Sequence, residues 1–323
     1  MEWFCGGKLP LLVVCGPTAS GKTKVGAELA ARLSGEVISA DSMQIYRGLE
    51  ILSAAPTEEE MCGVPHHLIR IFDPGREFSV AEYTRLAGKT AREIISRGKL
   101  PVVVGGTGLY IDSFIDNISF DGTVSDGSVR KHLEELAAEK GAAFMMGMLR
   151  ERDPEAAERM HENNIVRVVR ALEMYEITGR TFRENMERSR MESSPYEVCM
   201  IGLTFEDRAD LYDRVNRRVD IMAENGIVEE ARKVYLSGNI GTSAQAIGFK
   251  ELIPYFEGKC SLDECLEKIK LVSRHYAKRQ LTWFRRDARI SWINQTKNEH
   301  FDKIIEKCLN IVAKSEIMCY NKK

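Results

Sequence analysis

The fold is decided by residues 9–23, which read Leu-Pro-Leu-Leu-Val-Val-Cys-Gly-Pro-Thr-Ala-Ser-Gly-Lys-Thr. The apolar run from Leu11 to Cys15 predicts a strand, and the run from Lys22 to Leu33 predicts a helix. Between them, glycines allow backbone N–H groups to turn toward phosphate oxygens, and the helix N-terminus adds partial positive charge. We therefore predict a phosphate-binding P-loop made of Gly16, Pro17, Thr18, Ala19, Ser20, Gly21, Lys22 and Thr23.

Two side chains of this loop have predicted roles. Lys22 supplies a positive charge to a bound phosphate group, and the Thr23 hydroxyl is expected to complete the coordination of Mg²⁺. The loop indicates a phosphorylated ligand, but it identifies neither that ligand nor the reaction.

Composition and charge exclude several classes of protein. The chain has 323 residues, of which 44% are hydrophobic, enough for one large domain or two. A formal net charge of −2 excludes a globally basic nucleic-acid binder, but not a local basic patch. Eight cysteines without C-x-x-C spacing predict free thiols in a reducing compartment. No apolar stretch approaches the about 20 residues that span a bilayer, so we expect a cytoplasmic protein without membrane contact.

The first 115 residues alternate between predicted strands and helices. Glu36–Ala40 is a second predicted strand, and Ser79-Val-Ala-Glu82 is a capping box that begins a helix ending near Arg97. The continuously apolar run Pro101–Val104 predicts a buried parallel strand. This pattern predicts an α/β fold with a P-loop doubly wound parallel sheet, whose ligands bind at the carboxyl ends of the strands.

The composition changes after residue 115. Residues 116–130 are rich in Asp, Gly and Ser, which predicts a linker. Three charged helical patterns then precede a predicted strand at Tyr196–Thr204, and they cover Lys131–Lys140, Asp153–Thr178 and Phe182–Met191. We therefore predict two domains: a catalytic core of residues 1–115 and 197–323, and a helical insertion of residues 116–196.

Two positions at the ends of predicted strands bear on the chemistry. Asp41 is expected beside the P-loop, where it coordinates Mg²⁺ through water, accepts a proton or hydrogen bond from the acceptor substrate, or only caps a helix N-terminus. The strand at 101–104 ends in Gly105-Gly106-Thr107-Gly108, where a P-loop hydrolase carries an acid that holds Mg²⁺. The missing acid argues against a motor or switch NTPase and favours a transferase. The glycines either admit a ligand or form a plain tight turn.

Two basic segments follow the predicted insertion. Arg214 and Arg218 share one helical face, which either suits a pyrophosphate or is a solvated face paired with Asp210 and Asp213. Residues 273–289 carry six Arg or Lys against one acid, interleaved with three aromatic residues. That combination is typical of nucleic-acid contact, and the alternative assigns the aromatic side chains to the core. The histidines show no zinc-binding spacing.

Seven blocks of the sequence resemble the tRNA dimethylallyltransferase family, in the order that the family has them. They are Gly-Pro-Thr-Ala-Ser-Gly-Lys-Thr (16–23), Ser-Ala-Asp-Ser-Met-Gln-Ile-Tyr-Arg-Gly (39–48), Val-Pro-His-His-Leu (64–68), Val-Val-Gly-Gly-Thr-Gly-Leu-Tyr (103–110), Arg-Val-Val-Arg-Ala-Leu-Glu (167–173), Gln-Ala-Ile-Gly-Phe-Lys-Glu (245–251) and Tyr-Ala-Lys-Arg-Gln-Leu-Thr-Trp-Phe-Arg-Arg (276–286). The resemblance implies transfer of a dimethylallyl group from dimethylallyl diphosphate to N6 of adenine 37 in tRNAs that read codons starting with U. The products would be N6-(dimethylallyl)adenosine and pyrophosphate.

The resemblance also implies roles for individual residues. Asp41 would take the proton of the N6 amine, while Lys22, Mg²⁺ bound by Thr23, and Arg214 or Arg218 would stabilise the departing pyrophosphate. The insertion would bind the anticodon stem-loop, and a monomer is expected. Contacts to tRNA are expected from Asp41, Ser42, Met43, Gln44, Thr107, Arg167, Lys278, Arg279, Arg285 and Arg286.

Two other enzyme classes would use the same loop. An adenylate isopentenyltransferase prenylates a free nucleotide, and a P-loop small-molecule kinase would have Asp41 beside an acceptor hydroxyl. The long insertion and the basic segment 273–289 favour tRNA as the acceptor. The chain also departs from the family at Ala55, where a lysine is usual.

Overall fold

The computed structural model describes residues 7–120, 127–238 and 240–318. Its strands are β1 (Leu9–Cys15), β2 (Gly35–Ala40), β3 (His66–His67), β4 (Leu100–Gly105), β5 (Tyr196–Phe205) and β6 (Ile290–Gln295). Its α-helices are α1 (Lys22–Arg32), α2 (Val80–Ser96), α3 (Gly108–Ile115), α4 (Ser128–Lys140), α5 (Ala142–Arg152), α6 (Pro154–Arg159), α7 (Ile165–Thr178), α8 (Phe182–Ser189), α9 (Arg208–Glu224), α10 (Ile227–Ser237), α11 (Phe249–Phe256), α12 (Leu262–Phe284) and α13 (Phe301–Lys314).

The six strands of the described chain form one parallel sheet in the order β3-β2-β4-β1-β5-β6. Alternate side chains of β1 point to opposite faces of this sheet. Leu12 and Val14 pack in one buried cluster with residues of α1 and α13. Leu11 and Val13 pack in another with residues of α2 and α3. Helices therefore cover both faces, and the predicted α/β class with a parallel sheet is confirmed.

The core elements predicted from sequence lie within two residues of their observed bounds. The edge strands β3 and β6 were not predicted. Strand β3 has only two residues, and β6 reads Ile-Ser-Trp-Ile-Asn-Gln, which lacks a continuous apolar run. One of the two hydrogen bonds of the predicted capping box before α2 is present, because Ser79 Oγ accepts the Glu82 N–H at 3.2 Å. The Glu82 carboxylate pairs with Arg76 instead of capping the helix.

The chain divides into two compact units. One comprises Met1–Ile115 and Pro195–Lys323 and contains the sheet, and the other is Asp116–Ser194. The second unit contains α4 to α8 and has its own buried core, which includes Leu133, Met145, Leu149, Val168 and Leu172. Within the described ranges, none of the helices combines the length and apolar character needed to cross a membrane.

Two predictions for the second unit are wrong. The single helix predicted over Asp153–Thr178 is two helices, α6 and α7, because Met160 adopts an extended conformation (φ −112°, ψ 139°). Helix α4 begins at Ser128, inside the segment predicted as a linker, of which residues 121–126 lie outside the described chain.

Candidate active site

Residues 16–23 connect β1 to α1 at the carboxyl edge of the sheet. A Cβ atom on Gly16 would lie 2.4 Å from the carbonyl oxygen of Leu203 in β5, so only glycine fits there. Gly21 adopts a left-handed conformation (φ +85°) immediately before α1 begins at Lys22. The residues therefore form a strand–loop–helix turn with the N-terminus of α1 at its end, which is the geometry that binds phosphate groups.

Two buried glutamines hold the P-loop from distant elements. Gln280 of α12 accepts the Thr18 N–H at 2.7 Å and donates to the Gly106 carbonyl at 2.9 Å. Gln295 of β6 donates to the Ser20 carbonyl at 3.0 Å. Sequence reasoning missed both residues. The only signal for Gln280 was its place in one of the seven blocks, while Gln295 lies outside all of them.

Both arginines of α9 contact the P-loop. Arg214 Nε donates to the Ala19 carbonyl at 3.0 Å, and Arg218 Nη1 donates to Thr18 Oγ1 at 3.1 Å. Two guanidinium groups one helical turn apart therefore lie beside the residues predicted to bind phosphate. Their spacing predicted a shared face, and the structure orients that face toward the loop.

The sequence left open whether these arginines pair with Asp210 and Asp213 on a solvated face. Those two carboxylates lie 3.8 and 3.4 Å from Lys297 instead. Burial lowers the pKa of Arg218 below its usual range. A desolvated guanidinium favours binding of an anion, because an anion offsets the penalty of burying the positive charge.

Lys22 lies half-buried at the start of α1, with its ammonium 3.2 Å from the Pro17 carbonyl. Burial and the neighbouring positive charge of Arg218 lower the pKa of Lys22 to about 8, while the Asp41 carboxylate opposes that shift. Lys22 therefore begins to lose its charge just above neutral pH.

Asp41 follows β2 directly and holds a tight turn. Its Oδ1 accepts the N–H groups of Met43 and Gln44 at 2.9 and 3.3 Å. Thr107 Oγ1 accepts the Ser42 N–H at 3.2 Å, which ties this turn to the end of β4. Asp41 therefore caps a turn rather than the helix considered from sequence, and the residue also lines the pockets described next.

Two pockets adjoin at Lys22, Thr23, Asp41 and Gln44. The larger has a volume of about 300 Å³. Its lining combines polar residues of the P-loop with apolar side chains, namely Leu52, Val215, Val219, Met222, Ile247 and Ile269. The smaller has a volume of about 20 Å³ and is also lined by Ser39 and His66. The larger pocket can accommodate an anionic group and an apolar group side by side.

Gly105 and Gly106, at the end of β4, lie close to other parts of the protein's own chain. A Cβ atom at Gly105 would lie 2.2 Å from the Ala40 carbonyl oxygen, and one at Gly106 would lie 2.2 Å from Gln280 Nε2. Close packing against the protein's own chain therefore accounts for both glycines, and Gly105 also lines the smaller pocket. A side chain at Gly105 would meet the Ala40 backbone, so this position cannot carry the acid of a P-loop hydrolase.

Some of the residues predicted to contact tRNA lie at or beside the larger pocket, and the others lie elsewhere on exposed surfaces. Ser42, Met43, Gln44 and Arg279 line the larger pocket with Asp41, and Thr107 is tied to it through Ser42. The side chains of Lys278, Arg285 and Arg286 are exposed along or just beyond α12. Arg167 is exposed on α7, in the second unit.

The three aromatic residues of segment 273–289 differ in their surroundings. Phe284 is buried in the core, as the alternative interpretation assumed. Trp283 is partly buried and donates to Asp112 at 2.8 Å, while Tyr276 lines the larger pocket. Only Tyr276 is therefore available to a ligand in that pocket.

Comparison with known proteins identifies the family. The sequence model described as IPP transferase matches residues 44–287, and the one described as isopentenyl transferase matches residues 9–72. A tRNA dimethylallyltransferase of Acetivibrio thermocellus is 47% identical over 298 residues, which cover 92% of this chain and 95% of that relative. The chain belongs to the IPP transferase family. The resemblance drawn from the seven blocks is confirmed.

Solved structures of IPP transferases share this fold. The full-length tRNA isopentenylpyrophosphate transferase of Bacillus halodurans superposes with a TM-score of 0.72 at 46% identity, covering 95% of this chain and 96% of that one. A eukaryotic dimethylallyltransferase acting on tRNA gives a TM-score of 0.81 at 25% identity, covering 95% of this chain and 80% of that one. These relatives are prenyltransferases, so the kinase alternative is not favoured.

The residues where the two pockets adjoin fit a magnesium ion. Thr23 and Asp41 line both pockets and contribute a hydroxyl and a carboxylate beside the P-loop. Mg²⁺ prefers oxygen ligands, keeps several waters, and is commonly bound by one or two protein oxygens together with substrate phosphates. The donor set therefore suits Mg²⁺ in the presence of a diphosphate.

Proposed function

We propose that this protein transfers a dimethylallyl group from dimethylallyl diphosphate to N6 of adenine 37 in the anticodon loop of tRNAs that read codons starting with U. The products are N6-(dimethylallyl)adenosine and pyrophosphate. One observation carries the proposal: P-loop residues, Arg218 and Asp41 line a single pocket that also has apolar walls. Such a pocket suits a donor with a diphosphate at one end and a five-carbon apolar chain at the other.

The P-loop and the two arginines of α9 bind the diphosphate in this proposal. Backbone N–H groups at the start of α1 and the Lys22 ammonium contact its oxygens. Arg214 and Arg218 already point at the loop and add two cations. As the bond from C1 to oxygen breaks, negative charge grows on the leaving pyrophosphate, and these groups stabilise it. Mg²⁺, held by Thr23 and the diphosphate, supplies further charge neutralisation when bound.

Asp41 acts on the acceptor. Because two backbone N–H groups hold its Oδ1, the carboxylate has a defined orientation and its second oxygen can accept from the adenine N6 amine. N6 attacks C1, the bond from N6 to C1 forms, and pyrophosphate leaves with the electron pair. The proton of N6 passes to Asp41. Adenine 37 must leave its stack to reach this position.

The remaining predicted contacts position the tRNA. Ser42, Met43, Gln44, Thr107 and Arg279 lie close enough to Asp41 to contact the flipped nucleotide. The exposed cations Lys278, Arg285, Arg286 and Arg167 are proposed to neutralise phosphates of the anticodon stem-loop, since such contacts orient the RNA without reading its sequence. We expect a monomer that works in the cytoplasm, where its tRNA substrates are.

Transfer of radiolabelled dimethylallyl diphosphate tests the proposal directly. Unmodified tRNA, AMP and ATP are offered as parallel acceptors, with Mg²⁺ present. We expect label on tRNA alone, at adenine 37. Label on AMP or ATP would instead identify an adenylate isopentenyltransferase, and ATP consumption with small metabolites in the absence of any label transfer would identify a kinase.

Asp41→Asn isolates the role of the carboxylate. The asparagine oxygen can still accept the N–H groups of Met43 and Gln44, so the turn is retained while the base is lost. We expect turnover to fall by about 10²–10⁴-fold, with nearly unchanged tRNA affinity. Asp41→Ala, which also loses the turn contacts, should be no more active. Wild-type turnover in Asp41→Asn would overturn the assignment of Asp41 as the base.

A further inference from the structure

The smaller pocket has no role in the mechanism above. Its volume is about 20 Å³, and its polar lining includes Ser39 of β2, His66 of β3 and Thr23. Gly105 and apolar residues complete the lining, namely Val37, Pro56, Ile69 and Val104. A polar cavity of this size holds about one water molecule.

His66 brings an unpaired hydrogen-bond acceptor to the lining of this pocket. Its Nδ1 lies 2.8 Å from the Val64 carbonyl oxygen, which can only accept, so Nδ1 carries the proton and Nε2 is the acceptor. Nε2 is buried and has no hydrogen-bond partner among the residues that the structure describes. Burial also lowers the pKa of His66, which favours the neutral ring. Leaving a buried acceptor unpaired is unfavourable, so a hydrogen-bond donor in the pocket would be bound favourably.

The backbone around His66 is held in a strained conformation. Leu68 and Arg70 have positive φ values of 60° and 54°, which these residue types rarely adopt. Ile69, between them, lines the same pocket. The Arg70 N–H donates to the Gln44 carbonyl at 2.9 Å, which fixes the segment against the turn after Asp41. Strain of this kind persists where the surrounding structure fixes a functional site.

The pocket lies where a P-loop hydrolase carries its metal-binding acid. That acid stands at the end of an apolar strand, and the apolar strand β4, which pairs with β1, ends at Gly105. Because the Ala40 backbone leaves no room for a Cβ atom at Gly105, this position carries no acid. When the Thr23 oxygen faces a cation, its hydroxyl proton needs an acceptor other than that acid.

We propose that the smaller pocket binds one ordered water, which accepts a hydrogen bond from the Thr23 hydroxyl and donates one to His66 Nε2. The second proton of the water is donated to Ser39 Oγ, whose own proton goes to Gln44 Oε1 at 2.9 Å. Three hydrogen bonds satisfy a buried water. His66 is thus a positioning residue that acts through the water to orient the Thr23 oxygen toward Mg²⁺. The inference rests on the proposed function only for the diphosphate ligand, and not on the transfer reaction.

Binding of Mn²⁺ in the presence of inorganic pyrophosphate, followed by electron paramagnetic resonance, tests this role without catalysis. His66→Leu removes the acceptor and should weaken Mn²⁺ binding by about 10-fold or more. His66→Gln provides an amide oxygen in place of Nε2 and should restore binding to within about threefold of wild type. His67→Gln is the matched control, since His67 pairs with Glu36 at 2.7 Å and does not line the pocket.

A second measurement reports on the water and the ring directly. Nitrogen-15 spectra of histidine-labelled protein should show His66 as the Nδ1–H tautomer, with Nε2 shifted as a hydrogen-bonded acceptor. A crystal structure with pyrophosphate and Mn²⁺ should show ordered density within hydrogen-bond distance of both Nε2 and Thr23 Oγ1. The spectra are compared between the wild type and Thr23→Val, in which loss of the Thr23 hydroxyl should change the Nε2 shift.

Failure of the proposed role of His66 can be distinguished from failure of the proposed transfer reaction. Wild-type Mn²⁺ affinity in His66→Leu would overturn the proposal, as would equal loss in His66→Leu and His66→Gln at unchanged melting temperature. Absence of an accepted hydrogen bond at Nε2 in the wild type would overturn it even if His66→Leu failed to fold. If the wild type transfers no label to tRNA while His66→Leu still weakens Mn²⁺ binding and His66→Gln restores it, the proposed function fails and this inference stands.

Discussion

Arg214 and Arg218 are one helical turn apart, yet their surroundings differ. Arg218 is partly buried, bonds to the Thr18 hydroxyl and lines the larger pocket. Arg214 is exposed, bonds to a backbone carbonyl, and has its guanidinium 5.3 Å from the centre of the Phe205 ring. A desolvated cation interacts more strongly with a developing anion than an exposed one, because water screens it less. The two residues should therefore contribute unequally.

Alanine substitution tests this difference. We expect Arg218→Ala to lower kcat/KM by about 10²–10³-fold, and Arg214→Ala by about 10-fold or less. Arg218→Lys keeps the charge without the planar fork and should fall between the two. Steady-state kinetics with dimethylallyl diphosphate varied at saturating tRNA measures each value. A larger loss in Arg214→Ala than in Arg218→Ala would contradict the argument.

The lowered pKa of Lys22 predicts a pH dependence of donor binding. Its pKa of about 8 means that the free enzyme carries less charge on Lys22 as the pH rises from 7 to 9. A protonated ammonium binds the diphosphate better than a neutral amine, so KM for dimethylallyl diphosphate should increase over that interval. Lys22→Arg stays charged throughout and should show a flatter profile. Equal slopes in the two proteins would assign the pH dependence to another group.

Among the elements, α12 fixes the P-loop through a single side chain. Gln280 joins the Thr18 N–H to the Gly106 carbonyl, and so couples α12, the P-loop and the end of β4. A Cβ atom added at Gly106 would lie 2.2 Å from Gln280 Nε2, so this glycine packs directly against the amide. Removing it would leave two buried backbone groups unpaired, each at a cost of about 1–3 kcal/mol.

Substitutions at Gln280 should therefore disturb binding of the donor. We expect Gln280→Ala to raise KM for dimethylallyl diphosphate by about 10–100-fold, because the loop loses its fixed geometry. Gln280→Glu retains the acceptor for Thr18 but loses the donor to Gly106, and should have a smaller effect. Thr282→Ala, on the exposed side of α12, is the control and should leave KM unchanged. An unaltered KM in Gln280→Ala would show that the loop holds its shape without this contact.

At the scale of the whole molecule, residues with proposed roles occur in both units. The residues proposed for donor binding and chemistry lie in the unit that contains the sheet, whereas Arg167 belongs to the unit Asp116–Ser194. If Arg167 neutralises a tRNA phosphate, its contribution is electrostatic and depends on salt. Its loss should then affect tRNA binding without affecting the donor.

Arg167→Glu is the corresponding variant. We expect KM for tRNA to rise by about 10-fold at low salt, with KM for dimethylallyl diphosphate unchanged, and the salt dependence of tRNA affinity to become shallower. Lys131→Glu on α4 makes the same change of charge elsewhere in this unit. Equal effects of the two substitutions would indicate a general change in net charge rather than a phosphate contact at Arg167.

The elements whose bounds were predicted most closely are those with a strong local signal in the sequence. Strand β1, the P-loop and α1 follow one another in the chain, so apolar runs and glycine spacing suffice to locate them. The break between α6 and α7 was missed because a helical pattern runs across it, and no proline or glycine marks the turn at Met160. The edge strands were missed because their stability comes from pairing with β2 and β5 rather than from their own composition.

The sequence by itself determined the P-loop, the parallel α/β class and membership of the IPP transferase family, because each depends on local pattern and on the order of blocks along the chain. Only the tertiary structure decided what the individual side chains contact. Gln280 meets Thr18 across 262 positions of sequence. Gly105 is glycine because of Ala40 in the neighbouring strand. Such contacts arise when the sheet and α12 assemble, and no local pattern encodes the distance between residues so far apart.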